Sequence, residues 1–120
     1  MERTFIGLGA VLAGLAVAAG AFGAHGLRDR LAPDMLAVFE TGVRYQMYHA
    51  LALLLLGALA STLNPRLATI AGWAFTAGIL VFSGSLYALV LSDVRILGAI
   101  TPIGGVAFLV GWACLAYAAI

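Results

Sequence analysis

The chain contains no lysine, one cysteine and three prolines, and only 9% of its 120 residues are charged. Each shortage removes a class of protein. Six Arg against five Asp and Glu leave a net charge of +1, too little to build the basic stripe that holds nucleic acid. A single thiol, Cys114, makes neither a disulfide framework nor a metal site; inside an apolar run it reads as a small apolar filler. Charge this sparse beside 64% apolar residues lies far from the balance of a water-soluble domain. No carboxylates pair within an apolar run. No Ser, His and Asp stand at a recognisable catalytic spacing, and no glycine loop precedes a helix to cradle phosphate. The expectation is a protein that is not an enzyme and holds no cofactor.

What the chain does have is four long apolar runs, at residues 4–24, 47–63, 67–91 and 96–120. Each is close to the ~20 residues that carry a helix across ~30 Å of hydrocarbon. Barrel strands would alternate polar and apolar residues, and these runs do not. In lipid each segment must satisfy its own backbone amides, which leaves helix as the choice. The first run has a basic start at Arg3 and small residues near its end, as a signal peptide does, but it exceeds the usual ~7–15 residue apolar core. It is expected to be a retained helix. Length allows one domain, so the predicted fold is an all-α polytopic membrane four-helix bundle over residues 1–120.

The linkers order the spans. Asn64-Pro65-Arg66 and Ser92-Asp93-Val94-Arg95 are tight turns, which imply antiparallel neighbours. Residues 25–46 form a longer linker. Pro33 followed by Asp34 reads as a helix start, and Leu36, Phe39 and Val43 form an apolar row opposite Glu40, Thr41 and Arg44. An amphipathic segment along the membrane surface is therefore expected before span two, with a bend at Gly42. Four spans place both termini on one face, termed side A, with Arg3 and Arg66. Side B carries Arg28, Arg30, Arg44 and Arg95. The excess of arginine predicts side B in the cytoplasm and both termini outside.

Polar residues of the runs and of the 25–46 linker crowd toward side B: His25, Glu40, Arg44, Tyr45, Gln46, Tyr48, His49, Ser83, Ser85, Tyr87 and Thr101. These are the candidate ligand-binding cluster. Toward side A, Trp73, Trp112 and Tyr117 read as an interfacial aromatic belt. Glu40 and Arg44, four apart on one helix, are better read as an interfacial pair that anchors span two than as an anion or headgroup contact. His25 and His49 invite a haem, quinone or metal reading, but no third ligand accompanies them. His25 suits the end of span one, and His49 suits a hydrogen bond across a helix interface. Ser83-Gly84-Ser85 reads as interhelical glue. Pro102 predicts a kink in span four. Small residues recur at four-residue spacing (Ala10/Gly14, Ala16/Gly20/Ala24, Ala68/Gly72/Thr76, Gly84/Ala88, Ala107/Gly111), a pattern that lets helices approach within one chain or between chains. Small multidrug exporters are of similar size, but their membrane-embedded Glu in the first span has no counterpart here.

Four stretches together, Ala21-Phe22-Gly23-Ala24-His25-Gly26-Leu27, Arg44-Tyr45-Gln46-Met47-Tyr48-His49-Ala50-Leu51, Phe82-Ser83-Gly84-Ser85-Leu86-Tyr87 and Thr101-Pro102-Ile103-Gly104-Gly105, resemble the bacterial inner-membrane family of YgdD-like proteins, domain of unknown function 423. The resemblance implies a small four-span membrane protein and carries no assigned chemistry. Two functions remain open from the residues. One is an interaction or assembly protein, as a homo-oligomer or a subunit of a membrane complex, in contact with membrane lipids. The alternative is a pocket, transporter or channel for a small solute, ion or lipid headgroup on the side B cluster.

Overall fold

The computed structural model describes residues 2–120. Among them, four helical segments are long and apolar enough to cross a membrane: Glu2–Leu27, Pro33–Thr62, Pro65–Ser92 and Arg95–Ala118. The architecture is an all-α membrane bundle with no strand among the described residues. Helix α1 (Glu2–Phe22) runs into a π-helical turn (Gly23–Leu27), and α2 (Pro33–Leu59) ends in a 3-10 turn (Ala60–Thr62). The third span is α3 (Pro65–Gly78), a second π turn (Ile79–Ser83) and α4 (Gly84–Ser92). The fourth is a 3-10 turn (Arg95–Ala99) followed by α5 (Thr101–Ala118).

Local chemistry explains these ends. Pro33 and Pro65 both open helices, where a missing N–H costs nothing and the ring pre-sets φ. Asn64 caps α3 by accepting from the Leu67 amide at 3.1 Å, and its own amide donates to the Ala118 carbonyl at 3.0 Å. Span four therefore ends level with the start of span three. After α4 the chain turns through Asp93 in the left-handed region, φ 58°, a conformation Asp tolerates better than most residues.

Helix α2 runs without a break through Gly42, from the amphipathic row into the span. The Gly42 position receives the Tyr87 ring: a Cβ there would lie 2.9 Å from Cε1. Pro102 does not kink span four, because the α-helix begins only at Thr101. Residues before it form the 3-10 turn, so Pro102 sits in the first helical turn, where its absent donor is harmless.

Packing follows a glycine-and-ring scheme. The closest helix pairs are α1 with α2 and α3 with α5. In the first pair a Cβ at Gly9 would meet the Ala50 carbonyl at 2.7 Å, and one at Gly57 the Glu2 carbonyl at 2.8 Å. In the second, a Cβ at Gly111 would lie 2.6 Å from Cδ1 of Phe75 and 3.3 Å from the Ala71 carbonyl. Rings then join the pairs: Phe5 of α1 fills the space at Gly72 of α3, and Phe5, Leu53, Leu56, Phe75 and Phe108 form the main core. Without a hydrophobic drive between helices in lipid, such close packing supplies the association energy. The bundle measures 46 × 26 × 17 Å. Its second helical segment, Pro33–Thr62, has 30 residues against the ~20 that cross the hydrocarbon layer, so about ten of them extend past it.

Candidate functional site

The candidate polar residues do not converge on one pocket; the helices divide them. Gln46 is buried, and its amide joins three helices. Its Nε2 donates to the Leu12 carbonyl of α1 at 2.8 Å, and its Oε1 accepts from the Tyr87 hydroxyl of α4 at 2.7 Å. The Leu12 carbonyl only accepts, so this orientation of the amide is the one its partners allow. Nearby, the fully buried Ser83 donates to the Gly42 carbonyl at 2.6 Å. Ser83 closes the second π turn. A helix carbonyl on α2 thus takes a hydroxyl from a turn whose widened winding aims the side chain across the interface. Ser85 and Thr101 share a hydrogen bond of 2.6 Å between α4 and α5, and Ser85 also reaches the Phe82 carbonyl at 2.9 Å.

His49 lies deeper than expected. Its ring stacks on Phe108, with centroids 3.5 Å apart and planes at 8°, and Tyr45, Phe75 and Trp112 surround it. The indole N–H of Trp112 donates to Nε2 at 3.0 Å. Indole is a donor only, so Nε2 holds a lone pair. Nδ1, 2.7 Å from the Tyr45 carbonyl, must then carry the proton and donate to it. The imidazole is neutral, and both nitrogens are engaged by the protein. It therefore has no free lone pair for iron or zinc. His25 is no partner either. Gly23 packs on Phe39 and Gly9 on Ala50, so the antiparallel pairing sets His25 level with the region of Phe39. That is about ten residues, roughly 15 Å, along α2 from His49. His25 is exposed on the first π turn. The paired-histidine cofactor site read from the sequence is incompatible with this geometry.

The remaining candidates face outward. Glu40 and Arg44 form an ion pair at 3.8 Å with side chains 48% and 62% exposed. Counting the ~20 residues of a span back from Thr62 puts the hydrocarbon edge near Gly42, so the pair sits at the boundary. With Gly20, Phe39 and Val43 it lines a small surface cavity of about 170 Å³. Tyr45 and Tyr48 are exposed and lean on one another, centroids 5.7 Å apart. A larger cavity, about 500 Å³, opens at the opposite end, on side A.

Sequence reasoning missed Trp112. Placed by depth in an aromatic belt, it turns its N–H inward to His49 instead. The available signal was its position one turn beyond Phe108, on the face that stacks against His49. Backbone carbonyls of Leu12 and Gly42 as side-chain acceptors carried no sequence signal at all.

The comparisons with known proteins agree with this architecture. The family described as "Protein of unknown function (DUF423)" matches residues 19–105. The chain belongs to the DUF423 family. DUF423 relatives include a UPF0382 membrane protein of Staphylococcus aureus, 51% identical over 113 residues, covering 94% of this chain and 92% of the relative. The UPF0382 membrane protein YwdK of Bacillus subtilis is 51% identical over 119 residues, 98% of this chain and 97% of the relative. No solved structure matches the chain. The DUF423 match takes in both π turns and the side chains of Gln46, Ser83 and Ser85, but not Leu12, the α1 partner of Gln46. Trp112 and Phe5 lie outside it.

Proposed function

We propose that this DUF423 protein is a non-enzymatic assembly element of the bacterial cytoplasmic membrane, and that α1 packs against α1 of a second copy. One observation carries the reading. Gly7, Ala10, Gly14, Val17 and Ala21 are all exposed on α1. Their spacing of three and four residues is that of the a and d positions of a heptad, the seam of a left-handed helix pair. A Cβ at Gly7 or Gly14 would meet no atom within 4 Å, so these glycines serve no contact inside the chain. Beside the seam α1 exposes the bulky Val11 and Leu15, while the outward surface of α5 carries Ile103, Val106, Leu109 and Val110 and no exposed glycine free of internal contacts. Small residues at a lipid-facing seam favour helix–helix contact.

The test is the oligomeric state in nanodiscs, by single-molecule photobleaching of a labelled chain. A dimer in the wild type that becomes a monomer in Gly14→Leu, with helicity retained, is expected. A wild type that is monomeric across protein-to-lipid ratios refutes the proposal. The arginine asymmetry supports side B in the cytoplasm and the termini outside. In a Cys114→Ser background, a membrane-impermeant thiol reagent is expected to label Ser61→Cys from outside intact cells and to leave Asp29→Cys unmodified.

A second reading, anion or headgroup contact by Arg44, is supported by the cavity it lines with Glu40. Native mass spectrometry of the wild type beside Arg44→Ala tests it: an extra mass lost in the variant supports the contact, and identical spectra apart from the substitution remove it.

A further inference from the structure

The cavity of about 500 Å³ at side A lies where the start of α1, the 3-10 turn after α2 and the start of α3 meet. Its size falls within the ~300–1,000 Å³ of small-molecule sites. Its lining is divided by polarity. Phe5, Leu56 and Ala68, all buried in the core cluster, form an apolar floor, and Glu2, Arg3 and Ser61 stand at the polar rim. Because the chain crosses the membrane, the floor faces the hydrocarbon side and the rim stands at headgroup level.

The two rim charges set the ligand chemistry. Neighbouring residues on a helix point about 100° apart and do not face each other, so Glu2 and Arg3 do not neutralise one another. Among the described residues the ion pairs are Glu40 with Arg44 and Asp93 with Arg95, so neither rim charge has a protein counter-ion among them. Both nevertheless line one cavity. An anionic head would satisfy Arg3 and leave Glu2 facing negative charge. A head carrying both a phosphate and an ammonium satisfies both. We propose that this cavity binds one phospholipid of the phosphatidylethanolamine class, with its phosphate at Arg3, its ammonium at Glu2 and the upper part of an acyl chain along Ala60, Leu63 and Pro65. The site shares no residue with the α1 seam and stands or falls separately from the assembly reading.

The experiment is native mass spectrometry of the full chain released from nanodiscs of equal phosphatidylethanolamine and phosphatidylglycerol with matched acyl chains. One phosphatidylethanolamine per chain is expected, enriched over phosphatidylglycerol about tenfold, the step a charge-assisted hydrogen bond supplies. Arg3→Ala and Ser61→Trp, both at exposed positions, are expected to lose the lipid. Arg66→Ala, a cation on the same side outside the lining, and Arg44→Ala on the other side are expected to keep it. Glu2→Gln is expected to retain a lipid but lose the preference for the ammonium head. Equal retention of the two lipids by the wild type, or an unchanged adduct in Arg3→Ala, overturns the proposal. Water-soluble phosphoethanolamine, added to the protein in detergent, is expected not to bind; if it binds as well as the lipid, the apolar lining plays no part and the lipid assignment is wrong.

Discussion

The Gln46 bridge makes the sharpest demand on the energetics. Replacing Gln46 with Leu keeps an apolar side chain of similar bulk at a position 5% exposed and removes two interhelical hydrogen bonds. The Leu12 carbonyl loses little, since it lies within α1 and keeps its helix partner. The Tyr87 hydroxyl loses its acceptor between α2 and α4. Interhelical hydrogen bonds in membranes average ~0.6 and reach ~1.7 kcal/mol, and an orphaned buried polar group costs ~1–3 kcal/mol. Gln46→Leu is thus expected to destabilise the bundle by about 1.5–3 kcal/mol, and Tyr87→Phe by about 0.6–1.7 kcal/mol. The double variant removes donor and acceptor together, so it should cost less than the sum, with a coupling of about 0.6–1.7 kcal/mol. Reversible unfolding of all four proteins by SDS titration in mixed micelles, followed by helical circular dichroism, measures the cycle. Additivity within about 0.3 kcal/mol would refute the bridge as a source of stability.

Three further outcomes follow from the same geometry. Gly104→Ala places a methyl against the Phe82 backbone, which cannot rotate away, and is expected to cost about 1–3 kcal/mol as overpacking does; Gly84→Ala, with no atom within 4 Å of its new carbon, is expected to be neutral or stabilising by up to about 1 kcal/mol in the same titration. Trp112→Phe strips the donor from Nε2 of His49 and is expected to lower stability by about 0.6–1.7 kcal/mol, an effect largely absent when the same change is made in a His49→Phe background. Arg44→Ala breaks an exposed pair and is expected to shift stability by less than about 1 kcal/mol, with the shift shrinking further in high salt.

Different parts of the molecule were legible to different degrees. Span number, helical class and the helix starts at Pro33 and Pro65 were readable because lipid forces backbone satisfaction within each segment and proline marks boundaries. Depth was less readable. The expectation began span two at residue 47, which set His49 close to side B; with the hydrocarbon edge near Gly42, His49 lies about two turns inside it. Partners were the least readable. A periodic pattern identifies which face of a helix is polar, but the acceptors used by Gln46 and Ser83 are backbone carbonyls, present at every residue. The π turns were equally invisible: one extra residue per turn at Gly23–Leu27 and Ile79–Ser83 rotates everything after it relative to a 3.6-residue wheel. Trp112 was placed by an interfacial rule that its inward N–H overrides.

The use to which the polar side chains are put constrains where function can reside. A pathway for an ion or solute through a bundle needs groups that face a hydrated route and exchange partners as the cargo passes. Among the described residues no buried side-chain nitrogen or oxygen lacks a hydrogen-bond partner; the partners are carbonyls of neighbouring helices for Gln46 and Ser83, carbonyls of their own span for His49 and Ser85, and side chains of other spans. Two of the bridges also meet at a glycine: Ser83 donates to the Gly42 carbonyl, and the Tyr87 ring covers the Gly42 position. Pulling a hydroxyl away to serve a cargo would therefore open a packed interface as well as break a hydrogen bond, and the two costs add in a membrane where packing is the main adhesive. Groups already committed in this way hold the helices in register. What remains uncommitted lies at the periphery: the small-residue seam of α1, the boundary pair on α2, and the two charges at the side A cavity. A search for activity in this family is best aimed at those surfaces, with the interior bridges serving as stability controls.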